Sequence, residues 1–168
     1  MDPVINHIIE QLNVIRGGKT WIGSSYESKL NGIDDSLVFV RPIKGLHSIA
    51  ELLSHLTFWR NEAILKIRTG KGTKTDDCEE NWLTPEQLKA KGWDKIKTEY
   101  DNSLSELMGL LKEKKDGFLE ETYYDPDFKG VYKYSFLING MLHHDIYHLG
   151  QLGIIIRYLT DNTTEGSV

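Results

Sequence analysis

The longest uninterrupted helical pattern of the chain runs over about residues 135–159, and it carries two histidines on its apolar face. The inward stripe of this segment consists of Met141, His144, His148, Leu152 and Ile155. A stripe with this period faces the core of a helical protein. Side chains four residues apart on a helix have Cβ atoms about 5–6 Å apart. His144 and His148 are therefore expected to point into the interior side by side.

Three further segments, at about 3–16, 48–70 and 84–111, repeat the helical period of apolar residues. The second opens with a capping box formed by Ser48 and Glu51. The third opens at Thr84-Pro85, with proline at the first helical position, and Gly92 is expected to interrupt it. Four amphipathic helices predict an all-α fold, built as a four-helix bundle.

The connection between the first two helices is about thirty residues, which is long for antiparallel neighbours. Within it, residues 24–32 predict a short helix and Val38-Phe39-Val40 predicts an extended segment. Not every connection is therefore expected to be a simple hairpin. A turn-rich stretch, 125–130, precedes the last helix. We expect one domain over 1–160, followed by a flexible C-terminal tail over 161–168.

Composition excludes several classes of function. The formal net charge of −5 and the isoelectric point near 5.7 argue against a nucleic-acid-binding surface, which is normally basic. No apolar run approaches membrane length, and the N-terminus lacks the pattern of a signal peptide. A single cysteine cannot form an internal disulfide. These features predict a soluble, cytoplasmic protein without nucleic-acid or membrane partners.

A third histidine, His55, lies at the edge of the apolar face of the second long helix. Unpaired polar groups are costly in a core, so buried imidazoles need partners. A divalent metal held by His55, His144 and His148 would satisfy all three and leave an open coordination position. The alternative is that they are core histidines bonded to carbonyls or waters. Nitrogen ligands suit zinc, nickel, copper or iron, with zinc or nickel favoured.

The other histidines are less suited to this site. His143 projects about 100° away from His144, and we interpret it as structural or as part of a subunit contact. A homodimer is therefore among the expected assemblies. His47 precedes His55 by eight residues, or about 12 Å along a helix axis. It is too far to share a metal with His55, although it could line the same pocket.

Five more residues have open or minor roles. Gln151, one turn beyond His148, could orient a ligand histidine or cap a buried carbonyl. The capping box accounts for Glu51, and the role of Asp145 is open. Cys78 lies among four carboxylates that disfavour a thiolate, so it is a poor nucleophile. Trp59 is the best candidate to line a substrate cleft.

Three segments together resemble the DinB/YfiT-like superfamily of metalloenzymes. Residues 140–151 resemble its His-x-x-x-His-x-Gly-Gln segment, residues 47–55 its first-histidine helix, and Trp21-Ile22-Gly23 one of its branches. The resemblance implies a four-helix bundle with a divalent metal on three histidines, which correspond to His55, His144 and His148. Some members are S-transferases that use low-molecular-weight thiols such as bacillithiol or mycothiol, and others are hydrolases or isomerases.

Three functions are compatible with these sequence features. The first is a metal-dependent enzyme with a small-molecule substrate, either a low-molecular-weight-thiol S-transferase or a hydrolase. The second is a non-catalytic metal-binding or stress-response protein on the same scaffold, and in the third the histidines are structural and bind no metal. An anionic thiol would require basic groups in the cleft, for which Arg16, Arg41 and Arg60 are candidates. No catalytic acid or base is identified by the sequence.

Overall fold

The computed structural model describes residues 2–165, and four of its helices are long enough to form a bundle. In chain order the elements are α1 (Pro3–Gly17), α2 (Tyr26–Leu30), α3 (Ile49–Thr69), α4 (Pro85–Lys91), α5 (Trp93–Lys112), β1 (Thr122–Asp125), β2 (Gly130–Lys133) and α6 (Tyr134–Glu165). Two 3₁₀ turns, Glu79–Trp82 and Asp116–Glu120, lie in the connections. The four long helices predicted from apolar periodicity are thus confirmed.

The bundle does not follow a simple up-and-down order. Both α1 and α3 pack mainly against α5 and α6, so they occupy opposite corners of the bundle. The long first connection therefore crosses one end of the bundle and is not a simple hairpin, in agreement with the expectation from its length. It contains α2, which begins after a capping box between Ser25 and Ser28 and anchors the connection through Tyr26. The buried Tyr26 hydroxyl donates a 2.8 Å hydrogen bond to the carbonyl of Asp145 on α6.

Local capping explains where α3 begins and ends and where α4 gives way to α5. The Ser48 side chain accepts from the backbone N–H of Glu51, and the Glu51 carboxylate accepts from the N–H of Ser48 at 2.8 Å. The helix ends at Gly70, whose φ of 75° is the left-handed conformation that favours glycine. Gly92, with φ of 89°, separates α4 from α5 and confirms the predicted interruption.

The extended segment predicted at Val38-Phe39-Val40 is wrong. Residues 35–39 form turns, and Val38 is fully buried. Its carbonyl accepts a 2.9 Å hydrogen bond from the N–H of Ala50 at the start of α3. Val38 is apolar because it is buried in the core, and it does not pair with a strand.

A β-hairpin that was not predicted precedes α6. Strands β1 and β2 are antiparallel, with Tyr123 opposite Tyr132, and the turn-rich stretch 125–130 forms the connection. The parallel bridge between Lys71 and Tyr124 ties the hairpin to the chain that leaves α3. The hairpin therefore lies beside the segment that leads to Glu79–Trp82.

The last helix is longer than expected, because α6 continues past Leu159 to Glu165. Residues 166–168 of the predicted tail lie outside the described residues, and the flexibility of 161–168 stays a prediction. Among residues 2–165, no helix combines the length and apolar character that crossing a bilayer requires.

Candidate metal centre

The three histidines predicted as ligands meet between α3 and α6. His55 comes from α3, and His144 and His148 come from consecutive turns of α6. The Nε2 atom of His144 lies 3.0 Å from the Nε2 atom of His55 and 3.0 Å from that of His148. The candidate ligand atoms of all three residues lie within 4.8 Å of one another. The convergence expected from the sequence is therefore present.

Hydrogen bonds at the outer ring nitrogens orient two of the imidazoles. The Nδ1 atom of His55 lies 3.3 Å from the backbone carbonyl of Asn81, and that of His148 lies 2.7 Å from Oε1 of Gln151. Both partners are acceptors, so each Nδ1 carries the proton of its neutral ring. The Nε2 lone pairs of His55 and His148 consequently face the centre of the cluster. Outer partners of this kind fix metal-binding histidines in the required tautomer.

The cluster is therefore suited to a cation. His144 can offer one Nε2 proton at most, yet its Nε2 faces two acceptors at 3.0 Å. At least one of these contacts must join two lone pairs, which repel unless a positive charge lies between them. Two nitrogens at 2.0–2.1 Å from a tetrahedral zinc are about 3.3 Å apart, close to the separations found here.

All three imidazoles are neutral near pH 7. Burial, together with the smaller effect of the neighbouring His148, lowers the pKa of His55 to about 4 and that of His144 to about 3. The pKa of His148 is also lowered, mainly by burial. Desolvation disfavours a charged ring, and the neutral ring is the form that donates a lone pair to a metal.

The cluster forms part of the wall of a cavity of about 610 Å³. This volume suits a small organic molecule. Its walls are largely aromatic, and the residues that give this character are Trp59, Trp82, Tyr123, Phe128, Phe136 and Tyr147. Trp59 thus lines the cavity, as predicted. Phe128, Phe136 and Tyr147 are lining residues that are also exposed to solvent.

Trp82, which as a tryptophan was expected in the core or in a pocket wall, makes a contact with the histidines that the sequence did not predict. It lies in the 3₁₀ turn Glu79–Trp82, and its ring stacks on His55 at a centroid distance of 3.8 Å. It also stacks on His47 at 3.7 Å. No helical or strand period passes through this turn, so no sequence pattern could relate Trp82 to either histidine.

The arginines considered as cleft cations do not serve that role. Arg60 is buried and donates a 3.0 Å hydrogen bond to the carboxylate of Asp145. Asp145, whose role the sequence left open, is therefore the partner of this buried arginine. Arg41 binds the carboxylate of Glu51, and Arg16 lies near Glu27 and Asp101. None of the three arginines lines the cavity.

The charged residues that do line the cavity carry a negative balance. Lys66 is the one lysine or arginine among the described lining residues, and it is buried against Asp125 at 2.9 Å. Asp76 and Asp127 also line the cavity, and neither forms a salt bridge within the described part of the chain. No unpaired cation is therefore available to an anionic ligand among these residues.

The remaining candidates lie outside the cluster. His143 is exposed and lies away from the cavity, as the helix phase predicted. Cys78 is half-buried outside the cavity, and its Sγ accepts from the N–H of Thr75 at 3.4 Å. His47 does line the cavity, while Glu51 is held by its capping bonds and by Arg41.

Comparison with known proteins agrees with the fold described above. The fold is similar to that of YfiT from Bacillus subtilis, described as a probable metal-dependent hydrolase with an unusual four-helix bundle topology, at a TM-score of 0.60 and 13% identity. The match covers 98% of this chain and 90% of that chain. No curated protein matches the sequence. A family model described as the DinB superfamily matches residues 23–152, which include the three histidines. The chain belongs to the DinB superfamily.

Proposed function

We propose that this protein is a metal-dependent hydrolase, with one divalent cation held by His55, His144 and His148. The observation that carries the proposal is the set of three Nε2 atoms, two of them with lone pairs oriented by Asn81 and Gln151, in the wall of a 610 Å³ cavity. A cation on three neutral imidazoles keeps its full charge and, when bound, supplies Lewis-acid catalysis. Zinc and nickel are the metals that these ligands suit best.

The protein's own residues supply binding and orientation. The aromatic walls, chiefly Trp59 and Trp82, favour an apolar substrate and exclude water around it. Water exclusion strengthens every electrostatic contact inside the cavity. The hydrogen bonds at Nδ1 of His55 and His148 hold the rings in place, so the cluster needs little rearrangement when a substrate binds.

The charge of the cavity supports hydrolysis over thiol transfer. A low-molecular-weight thiol that carries carboxylates, such as bacillithiol, needs a cationic contact in addition to the metal. The one lining lysine, Lys66, is already paired with Asp125, and Asp76 and Asp127 add negative charge. The description of YfiT as a probable metal-dependent hydrolase points to the same reaction class. We therefore propose a small substrate with an apolar body, no negative charge and an ester or amide bond.

An activity panel tests the proposal. Activated esters and aryl amides are incubated with zinc-loaded, nickel-loaded and chelator-treated protein, each with and without added thiol. We expect turnover that requires the metal, does not require thiol and survives Cys78→Ser. Turnover that appears only with thiol would instead support an S-transferase. Silence of metal-loaded protein across the panel would support the non-catalytic metal-binding function.

A further inference from the structure

The cavity contains a second functional histidine, outside the metal cluster. His47 lines the cavity, and its Nδ1 lies 3.2 Å from the carboxylate of Glu51. The Nε2 atom at the other edge of the ring has no hydrogen-bond partner among the described residues. The ring is about one-third exposed, so a molecule in the cavity can reach it.

The carboxylate beside His47 is fixed and ionised. Glu51 is 1% exposed and accepts hydrogen bonds from Arg41 and from the backbone N–H of Ser48. Burial alone would raise its pKa, but the bonds from His47, Arg41 and Ser48 outweigh burial and lower the pKa to about 2. An ionised carboxylate accepts hydrogen bonds only, so Nδ1 of His47 must be the donor. The lone pair of neutral His47 is therefore on Nε2.

The position of the ring relative to the metal cluster is set by Trp82. Its indole stacks on His47 at 3.7 Å and on His55 at 3.8 Å, with interplanar angles of 8° and 10°. Two imidazoles cannot share one face of the indole at these distances, so they lie on opposite faces. Their centroids are then about 7.5 Å apart, the sum of the two stacking distances. Both histidines line the same cavity, so a substrate bound at the cluster can also contact Nε2 of His47 beyond the edge of the indole.

We propose that His47 is the general base and acid of the hydrolytic reaction, oriented by Glu51. A carboxylate that fixes the tautomer of a catalytic imidazole and stabilises its charged form is a recurrent arrangement in hydrolases. This inference rests on the proposed hydrolase function for its chemistry. The tautomer and orientation of His47 do not depend on it.

One proton passes through Nε2 of His47 during the reaction. When the oxygen of a water adds to the carbonyl carbon of the substrate, Nε2 of His47 takes one proton from that water. When the bond between the carbonyl carbon and the leaving oxygen or nitrogen breaks, the same proton passes from Nε2 to the leaving atom. Glu51 keeps its hydrogen bond to Nδ1 throughout and stabilises the transient imidazolium.

Kinetics of variants test the catalytic role. We expect His47→Ala to lower kcat by a hundredfold or more, which is the usual contribution of general acid–base catalysis. Metal content should stay at the wild-type level, and added imidazole should restore part of the lost activity of His47→Ala. The exposed His143→Gln is the matched control and should keep full activity. Unchanged kcat in His47→Ala, or lost activity that imidazole does not restore, would overturn the role.

A second measurement does not depend on turnover. Nitrogen-15 NMR of the histidine rings in zinc-loaded protein should show His47 protonated at Nδ1 when neutral, and Glu51→Gln should shift its Nδ1 resonance. An Nε2-protonated His47 would overturn the inference even in an active enzyme. If zinc-loaded protein shows the expected tautomer but no turnover on any substrate, the proposed hydrolase function fails, and with it the catalytic role of His47. The orientation by Glu51 would then stand alone.

Discussion

The Nε2 atoms of His55 and His144 lie 3.0 Å apart although 89 residues separate them in the chain. The contact joins α3 to α6 and brings the outer partner of His55, the carbonyl of Asn81, into the same site. A single imidazole pair in a core is satisfied by one shared proton. The third ring, His148, also reaches Nε2 of His144 at 3.0 Å, and this makes a cation the better partner.

Single substitutions should distinguish the three ligand histidines from the neighbouring His143 by their metal content. We expect His55→Ala, His144→Ala and His148→Ala each to bind less than about a tenth of the metal of the wild type, because two ligands remain from three. His143 projects from another face of α6, so His143→Ala should bind as much metal as the wild type. Metal per chain, measured by elemental analysis of zinc-dialysed proteins, decides the matter. Equal loss in His143→Ala would contradict the helix phase.

The amide of Gln151 should tune metal affinity without binding the metal. Its Oε1 accepts from Nδ1 of His148 at 2.7 Å, and loss of such a partner usually weakens metal affinity about 10–100-fold. We expect Gln151→Leu to show that loss in a competition titration with a chromogenic zinc chelator. Gln151→Glu keeps an acceptor at this position and should bind at least as tightly as the wild type. A zinc affinity of Gln151→Leu equal to that of the wild type would contradict this role of Gln151.

The buried pair of Arg60 and Asp145 should be a stability element. The two side chains are 1% and 3% exposed and lie 3.0 Å apart. Arg60→Met leaves an unpaired buried carboxylate, which costs about 3–5 kcal/mol of unfolding free energy. The double variant Arg60→Met with Asp145→Leu should recover most of that loss, as measured by urea unfolding.

An exposed pair provides the control for this experiment. Lys133 and Glu120 lie 2.6 Å apart on the surface. We expect Lys133→Met to change the unfolding free energy by less than about 1 kcal/mol, because solvent screens exposed pairs. A loss in Arg60→Met no larger than that in Lys133→Met would contradict the role of the buried pair.

Glu51 should make the free energy of unfolding depend on pH in the acidic range. Its pKa is about 2 in the folded protein, below its ordinary value of 4.5. The unfolded chain therefore binds the proton first, and the stability contributed by Glu51 is complete above pH 4.5 and is lost as the pH falls towards 2. Glu51→Gln should be less stable than the wild type at pH 7 but should lose less on acidification. Urea unfolding of both chelator-treated proteins at pH 7 and pH 3 measures this, and equal losses would contradict it.

The parts of this fold that the sequence predicted are those with a long period or a strong capping signal. The apolar faces of the long helices, the capping box at Ser48 and the interruption at Gly92 are all local features. The pair His144 and His148 needed only helix geometry. The location of His55 beside them came from the family resemblance and from its place on the apolar face of α3.

The parts that the sequence did not predict depend on contacts between distant short segments. Trp82 lies in a four-residue turn, and its stacking on His47 and His55 follows from how that turn packs. The two strands of the hairpin have four residues each, too few for a clear alternation. At Val38-Phe39-Val40, three apolar residues suit a strand and a turn equally, and the packing of Val38 in the core decides for the turn.

The central claim is that His55, His144 and His148 together hold one divalent metal ion. X-ray absorption spectroscopy on protein purified without a histidine tag and loaded with zinc tests it most directly. We expect one zinc per chain and three imidazole nitrogens at about 2.0–2.1 Å, with fewer imidazoles and a lower zinc content in His144→Ala. Substoichiometric zinc, or a coordination shell of oxygen ligands that His144→Ala leaves unchanged, would contradict it.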